Sequence, residues 1–492
     1  MSQTHFKMLI GGQQVDALSG RTYASQNPAT GEAWAILPDA DAADADRAVR
    51  AAHDAFRSPA WRGLTATARG KLLRRLGDLV AQHGEKLAEL ETRDNGKLIR
   101  ETRGQLAYLP EFFHYAGGLA DKLEGSTLPI DKADMFAFTV PEPLGVVAAI
   151  IPWNSPLYLT AIKLAPALAA GNTIVVKPSE HASASILRFA ALAREAGFPD
   201  GVVNVVTGFG AGAGTALTSH PLVRRVAFTG GPSTARHVIR ATADNFAKLS
   251  LELGGKSANI VFDDADLEGA VNGAVAGVYA ASGQSCVAGS RLLVQAGIYD
   301  RFVAALKERM ARIAIGDPLD PASDMGPMAT EQQLGIVESM VERAREQGAQ
   351  VLAGGQRPAG RAGWFYEPTL IAAETPTLDI VQNEVFGPVA AIMRFETEAE
   401  ALELANGTEY ALAAGIWTRD MARGHRFARD VHAGIVWVNT YRAVSAMAPI
   451  GGYGASGYGR EGGIHAVLDY TELKTVWVNL SEQPMGDPFV MR

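Results

Sequence analysis

The stretch Val146-Val147-Ala148-Ala149-Ile150-Ile151-Pro152-Trp153-Asn154-Ser155-Pro156 decides the fold. An apolar run ends abruptly at Pro152 and Asn154, and a helix-like pattern follows over 157–168. The unit then repeats. Apolar runs at 173–176, 202–206, 226–228 and 249–251 alternate with helical patterns at 182–196, 215–219 and 234–243. Short Val- and Ile-rich runs without polar alternation suit parallel strands covered on both faces. Strand–helix alternation implies right-handed crossovers and a doubly wound, Rossmann-like sheet. A ligand then belongs beyond the carboxyl ends of the strands, where Asn154 stands.

Outward from this series, a second one follows. Runs at 259–262, 291–294, 389–395, 413–417 and 434–438 read as strands, and 266–282, 299–313, 331–347, 398–405 and 421–431 as helices. This predicts a second α/β domain joined near Gly254-Gly255. Ahead of the first sheet, 41–56, 66–83 and 85–105 read as amphipathic helices. Two alternating segments, 128–140 and 470–480, fit neither sheet and read as strands without an obvious partner. The expected division is 1–123 with 145–253, then 254–467, with 124–144 and 468–492 forming a small β arm.

A chain of 492 residues exceeds the ~250–300 at which one core stops growing, so more than one domain is expected. A net charge of −8 argues against nucleic acid, and no polybasic block suits a membrane surface. No stretch approaches ~18 uninterrupted apolar residues, and 1–15 lacks the pattern of a signal peptide, so a cytoplasmic location is expected. The single cysteine, Cys286, excludes internal disulfides and multi-cysteine metal sites. Alone, it reads as readily as an inert buried thiol as a nucleophile.

Its surroundings favour chemistry. Gly283-Gln284-Ser285-Cys286 lies downstream of Leu251-Glu252-Leu253-Gly254-Gly255-Lys256, where a Glu ends a strand at a Gly-Gly turn. Asn154 is either a turn former or an amide donor to a developing oxyanion. Lys177-Pro178-Ser179-Glu180 ends the next strand, and Phe228-Thr229-Gly230-Gly231 opens a helix whose NH groups suit a phosphate. Asn383-Glu384-Val385-Phe386-Gly387-Pro388 and Ser456-Gly457-Tyr458-Gly459-Arg460-Glu461 follow. Gly208-Phe209-Gly210-Ala211-Gly212-Ala213 fits the dinucleotide fingerprint, but no acidic residue ends a strand about 20 positions later.

Taken together, in order and spacing, these motifs resemble the aldehyde dehydrogenase superfamily along nearly the whole chain. The resemblance implies an NAD-dependent oxidation of an aldehyde to a carboxylic acid. Cys286 would attack the aldehyde, its thiol lowered in pKa at a loop-to-helix edge. Asn154 and the Cys286 backbone NH would hold the oxyanion, and Glu252 would activate the water that hydrolyses the thioester. Lys163 and Glu461 match residues that orient groups and relay protons, with a structural lysine the alternative for Lys163.

The resemblance also assigns a cofactor wall. Ile151, Pro152, Trp153, Gly210, Phe228, Thr229, Gly230, Gly231 and Leu253 would line it; Lys177 and Glu180 would hold the adenine ribose. Glu384 would hold the nicotinamide ribose beside Phe386. A carboxylate at Glu180 repels a 2′-phosphate and so favours NAD over NADP. Gly231 departs from the family pattern, where a serine often contacts the pyrophosphate. Ser155, Tyr158, Leu159, Ile162, Ala280, Ser285, Val287, Val444 and Ile450 would surround the aldehyde, mostly small or aliphatic, implying a roomy apolar pocket. Arg442 near its mouth is either a carboxylate anchor or a solvated arginine. A CoA-acylating relative commonly lacks the base that Glu252 provides. No metal is expected; a homo-oligomer, a dimer or tetramer, is.

Overall fold

The computed structural model describes residues 4–487 and 489–490. The run 146–151 forms a strand whose successive residues enter two different cores. Val147, Ala149 and Ile151 pack on one face, while Val146 and Ala148 pack on the other. Both faces are covered, so no polar alternation is needed. This strand lies mid-sheet, between Thr173–Pro178 on one side and Val223–Thr229 on the other. Val203–Val205 extends the sheet beyond Thr173–Pro178, and Lys248–Glu252 extends it beyond Val223–Thr229. These five strands are parallel. The chain therefore winds outward one way, returns to the centre, and winds the other way. The switch falls between Ile151 and Thr229, where a crevice must open at the carboxyl edge.

Three strands that the sequence pattern did not reveal complete the eight-stranded sheet. Met8–Ile10 and Gln13–Val15 add antiparallel at one edge, and Gly457–Tyr458 pairs antiparallel with Lys248–Glu252 at the other. Gly457–Tyr458 comes from the segment expected as part of 254–467, and Ala446, Val467 and Tyr470 also sit in a core of the first sheet. The last part of that segment thus packs back on the first unit rather than staying with the second.

The second sheet has seven strands in the order Gln350–Ala353, Thr369–Ala372, Val389–Phe395, Arg291–Gln295, Ala258–Val261, Ala413–Trp417 and Ile435–Val438. All pairs are parallel except the first. Gln350–Ala353 and Thr369–Ala372, short and near glycine-rich loops, were not anticipated.

The helices ahead of the first sheet differ from expectation. Gly84 does not break the chain: one helix runs Ala66–Asn95 and a second Ile99–Leu119. An added Cβ at Gly84 would meet only Leu106 Cβ, at 4.0 Å, so nothing there demands a stop. The stop is Gly96, at φ +74, whose NH bonds the Thr92 carbonyl. This is the left-handed cap that glycine favours. The helix expected over 266–282 ends at Val278.

The two unassigned segments pair with each other. Met135–Pro143 and Thr471–Asn479 form an antiparallel ribbon from Thr471 opposite Pro143 to Asn479 opposite Met135. The first strand begins later than the 128–140 run suggested. Of the tail at 481–492, residues 488, 491 and 492 lie outside the described residues. Among those described, no helix is long and apolar enough to cross a membrane.

Gly96 and Gly335 make opposite predictions. A Cβ at Gly96 would stand 2.7 Å from Pro327 Cγ in a left-handed backbone, so Gly96→Ala should lower the unfolding free energy by about 1–3 kcal/mol. Gly335 lies inside the helix Glu331–Glu346 with open space around it, so Gly335→Ala should raise it by about 0.4–1 kcal/mol. Urea denaturation midpoints that move the same way in both variants would contradict this.

Candidate active site

Asn154 stands where the strand Val146–Ile151 turns into the helix Pro156–Ala169, which begins with the proline that first helical positions favour. Its Nδ2 donates to the Gln284 carbonyl at 3.0 Å, leaving its second N–H for another acceptor. The end of the helix Ala66–Asn95 clamps this loop. Asn95 Nδ2 donates to the Trp153 carbonyl at 3.1 Å, and Glu91 Oε2 accepts from the Leu157 NH at 3.1 Å. Lys97 Nζ donates to Ser155 Oγ at 2.6 Å. Sequence reading missed all three. Their signal was the Asn95-Gly96-Lys97 stop, obscured by a helix expected to run through it.

Cys286 lies between the helix Leu267–Val278 and the strand Arg291–Gln295, so it enters a strand and not a helix. The expected lowering of its thiol by a loop-to-helix edge is not found. Burial pushes the Cys286 pKa up to about 12, and the carboxylates of Glu384 and Glu252 add to the rise. Backbone NH groups of Val287 and Cys286 oppose it only in part. The approach to the sulfur is strained. Ala281, Ser282 and Gly283 take φ of +52, +53 and +71 in succession. Each non-glycine residue there costs about 1–3 kcal/mol and persists only where its surroundings enforce it. The Ala281 NH donates to Glu101 Oε1 at 2.8 Å, and Ser282 Oγ to the Gly326 carbonyl at 2.8 Å. A Cβ on Gly283 would lie 2.0 Å from the Gly387 carbonyl oxygen.

Glu252 ends the strand Lys248–Glu252. Its Oε1 is buried and has no hydrogen-bond partner. Burial holds its carboxyl well above the usual range, and the charge of Glu461 raises it further against Lys163 and Arg460. Lys163, fully buried, donates to Thr229 Oγ1 at 2.7 Å and forms an ion pair with Glu461. Glu461 and Ile450 exchange backbone hydrogen bonds of 2.8 and 2.6 Å, which fixes Ile450 against the same space.

These groups meet at one cavity of about 560 Å³. Cys286, Asn154, Glu252, Glu461 and Thr229 line it, as do Ser155, Tyr158, Leu159, Ile162, Ser285, Val287, Val444, Ile450 and Arg442. Lys163 lies behind this lining. Ala280 is not part of the wall; Ala281 is. Most of the lining is apolar, as the sequence implied, but one wall is not. Lys97, Glu101 and Gln105 come from the chain at and after the Gly96 stop, together with Tyr108. Glu101, Gln105 and Tyr108 are spaced to share one side of the helix Ile99–Leu119, and Lys97 stands in the link just before it. Ile435 and Trp437 complete the lining.

Most of the expected cofactor residues lie at or just beyond the carboxyl ends of the first sheet's strands, and Glu384 and Phe386 approach them from the second. Ile151 pairs with Pro178, and Ile150 with Phe228. Lys177 Nζ lies 3.7 Å from Glu180 and donates to the Pro178 carbonyl at 2.9 Å. Pro152 is half-buried and Leu253 is buried in the first sheet's core. Gly231 caps the helix Pro232–Ala241 without a side-chain partner, and a Cβ there would meet nothing within 4 Å. Gly210 opens onto equally empty space. The Gly230 NH bonds the Glu252 carbonyl at 3.1 Å, linking the two neighbouring strand ends. Trp153 and Phe386 meet edge to face at 5.2 Å, with Phe386 at φ +54. Glu384 Oε1 accepts from the Gly255 NH at 3.0 Å, and burial pushes its carboxyl up to about 7. Among the described residues, no cluster of side chains suits a metal ion.

Residues 15–476 match the profile described as the aldehyde dehydrogenase family. The chain belongs to that family. It is 52% identical over 488 residues to the (Z)-2-((N-methylformamido)methylene)-5-hydroxybutyrolactone dehydrogenase of Acinetobacter baylyi, covering 99% of each chain. Aldehyde dehydrogenase family 2 member C4 of Arabidopsis thaliana is 42% identical over 97% of this chain and 96% of its own. Among solved structures, the betaine aldehyde dehydrogenase of Staphylococcus aureus in complex with NAD⁺ superposes with a TM-score of 0.96 at 40% identity, covering 97% of this chain and 95% of that one. The NAD⁺ complex of a Bacillus cereus aldehyde dehydrogenase gives 0.95 at 42% identity over 97% of both. The enzyme is thus an oxidoreductase of the aldehyde-oxidising class.

Because Cys286 is the only thiol, its alkylation reports one site. With the thiol pushed up to about 12, the iodoacetamide rate should climb about tenfold per pH unit from pH 7 to 10. Levelling below pH 9 would show a thiolate stabilised by something other than the groups described.

Proposed function

We propose that this enzyme oxidises an aldehyde to its carboxylic acid with NAD as acceptor, through a thioester on Cys286 that water then hydrolyses. One observation carries the reading: a half-buried sulfur, a free amide N–H and an unpartnered carboxylate oxygen line the same cavity. Cys286 gives up its thiol proton to water, its Sγ bonds to the aldehyde carbon, and the carbonyl π bond opens so that the oxygen takes up negative charge. The second N–H of Asn154 and the Cys286 backbone NH donate to that oxyanion, each such donor being worth roughly 2.7–4 kcal/mol in the transition state. When bound, the nicotinamide supplies the hydride acceptor that turns the adduct into a thioester. Glu252 Oε1 takes a proton from water, and the resulting hydroxide attacks the thioester carbon and expels the Cys286 thiolate. General-base help of this kind contributes about 10²–10⁴-fold. Burial beside Glu461 keeps the Glu252 carboxyl basic enough for the task, while the ion pair with Lys163 fixes Glu461 in place.

NAD fits the crevice on two grounds. The helix at Pro232 presents backbone NH groups beside a glycine that leaves room for a pyrophosphate, and no side chain takes up its amino end. Lys177 and Glu180 suit ribose hydroxyls, and the Glu180 carboxylate disfavours a 2′-phosphate. Without the serine common at Gly231, backbone NH groups bind the phosphate alone. Glu384 and Phe386 serve the nicotinamide side.

The cavity is large enough for a medium-sized aldehyde. The Acinetobacter relative is named for an oxygen-rich hydroxylactone, and the polar wall here favours a substrate with polar groups over the purely apolar one that the aliphatic positions suggested. A catalyst using a soluble cofactor, with one cysteine and no disulfide, is assigned to the cytoplasm.

Assembly as a homo-oligomer, a tetramer, is part of the same reading. An isolated two-stranded ribbon is marginal in water, and its open edges accept another chain. Leu473, Trp477 and Leu480 are more than half exposed on this ribbon or at its end, an apolar set that a second subunit can cover. Light scattering at micromolar concentration should give a multiple of the chain mass, and a monomer would refute it.

Glu252→Gln should separate the two half-reactions. Rapid mixing should give a burst of NADH approaching one per site, followed by turnover slowed at least about a hundredfold. Equal slowing of both phases would move Glu252 to a step before thioester formation.

A further inference from the structure

Two cations on the polar wall of the cavity have no ion-pair partner among the described residues. Lys97 is 7% exposed, and its ammonium donates only to neutral oxygens, Ser155 Oγ at 2.6 Å and Gln105 Oε1 at 3.1 Å. No carboxylate lies within 4.0 Å of it among the described residues. Glu91 and Glu101 stand near enough to favour the charged ammonium, but Glu91 does not line the cavity and its Oε2 accepts from the Leu157 NH. Arg442 is half-buried and held at φ +62, and one N–H of its guanidinium, Nη1, donates to the Ala276 carbonyl at 3.1 Å. The one carboxylate on this wall is Glu101, with Oε1 engaged by the Ala281 NH. Glu91 and Glu101 balance the two cations in charge but pair directly with neither, so N–H groups of Lys97 and Arg442 remain open at a place where solvent is partly excluded.

Cations withdrawn from water without a direct carboxylate contact are expensive, and they persist where something else repays the desolvation. Lys97 has a third N–H, and Arg442 keeps most of its five donors unassigned. Both face the space that holds Cys286, while Gly104 and Val444, exposed in the same lining, mark the side open to solvent. The charged groups are therefore placed to hold the far end of a substrate whose near end reaches the sulfur.

We infer that Lys97 and Arg442, with Gln105 bonded to Lys97, form a carboxylate subsite, and that the preferred substrate is an oxo-acid, an aldehyde bearing a carboxylate several bonds from its carbonyl. This rests on the aldehyde oxidation proposed above and narrows it to a substrate class. Such a compound is supplied by any reaction that leaves an aldehyde and an acid on one molecule. Its product is a dicarboxylate.

The test compares 5-oxopentanoate with its methyl ester, nearly equal in size and differing by one charge. The acid should exceed the ester in kcat/KM by at least about tenfold, mainly through KM, the effect of one charge-assisted contact. Arg442→Gln should collapse this ratio toward one, and Arg442→Lys should restore part of it. A ratio near one in the wild type, or an Arg442→Gln loss shared equally by both substrates, overturns the subsite. A second readout needs no turnover: glutarate should slow alkylation of Cys286 in the wild type and lose that effect in Arg442→Gln. If the ester and the acid are both inert while glutarate protects, the carboxylate site stands and aldehyde oxidation falls. If neither turnover nor protection occurs, both fall.

Discussion

The chemistry depends on a strained turn. Ala281, Ser282 and Gly283 take left-handed backbone conformations one after another, and each is held by contacts from elsewhere in the chain: Glu101, Gly326 and Gly387. Without that turn the chain leaving Val278 would not deliver Cys286 to the cavity. The strain cannot relax locally, because its supports belong to a helix of the first unit and to loops of the second. The turn therefore also ties the two sheets together. The first sheet brings Asn154 and Glu252 from the carboxyl ends of its strands; the second brings Cys286 and Glu384 on segments that lead into the amino ends of Arg291–Gln295 and Val389–Phe395.

Burial sets the electrostatics of the site. The same desolvation raises the Cys286 thiol and the carboxyls of Glu252 and Glu384, while lowering Lys97. The low local dielectric makes each remaining charge count for more. Lys163 is the compensating cation for Glu461, and its ion pair keeps a negative charge fixed next to Glu252. A thiol left at about 12 is protected from adventitious oxidation, since oxidation follows thiolate character. It becomes a nucleophile only when its proton has somewhere to go.

Much of this was legible in the sequence. The five parallel strands of the first sheet stand out because both their faces are largely buried, so each carries a short apolar run, broken by Asn204 in one strand and Ser250 in another. Asn154, Glu252 and Cys286 follow motifs tied to those strand ends, and all three reach one cavity. What was not legible depends on distant partners. Met8–Ile10 and Gly457–Tyr458 are too short to show a pattern, and they become strands only by pairing with a sheet edge. The ribbon partners Met135–Pro143 and Thr471–Asn479 are separated by most of the chain. Lys97, Glu101, Gln105 and Tyr108 do not stand out in the sequence, because amphipathic spacing alone does not tell a solvent face from a cavity wall. The turn at Gly96 and the bonds of Lys97 to Ser155 and Gln105 bring them to the site.

The central claim is that oxidation proceeds through an acyl group on Cys286. It is tested most directly by acid-quenching the wild-type enzyme during turnover with NAD and weighing the peptide that contains Cys286. The account predicts a mass gain equal to the aldehyde less two hydrogens, the signature of a thioester, and its removal by hydroxylamine. An unmodified Cys286 peptide recovered while NADH forms at the full rate, with the same outcome in Glu252→Gln, would contradict it.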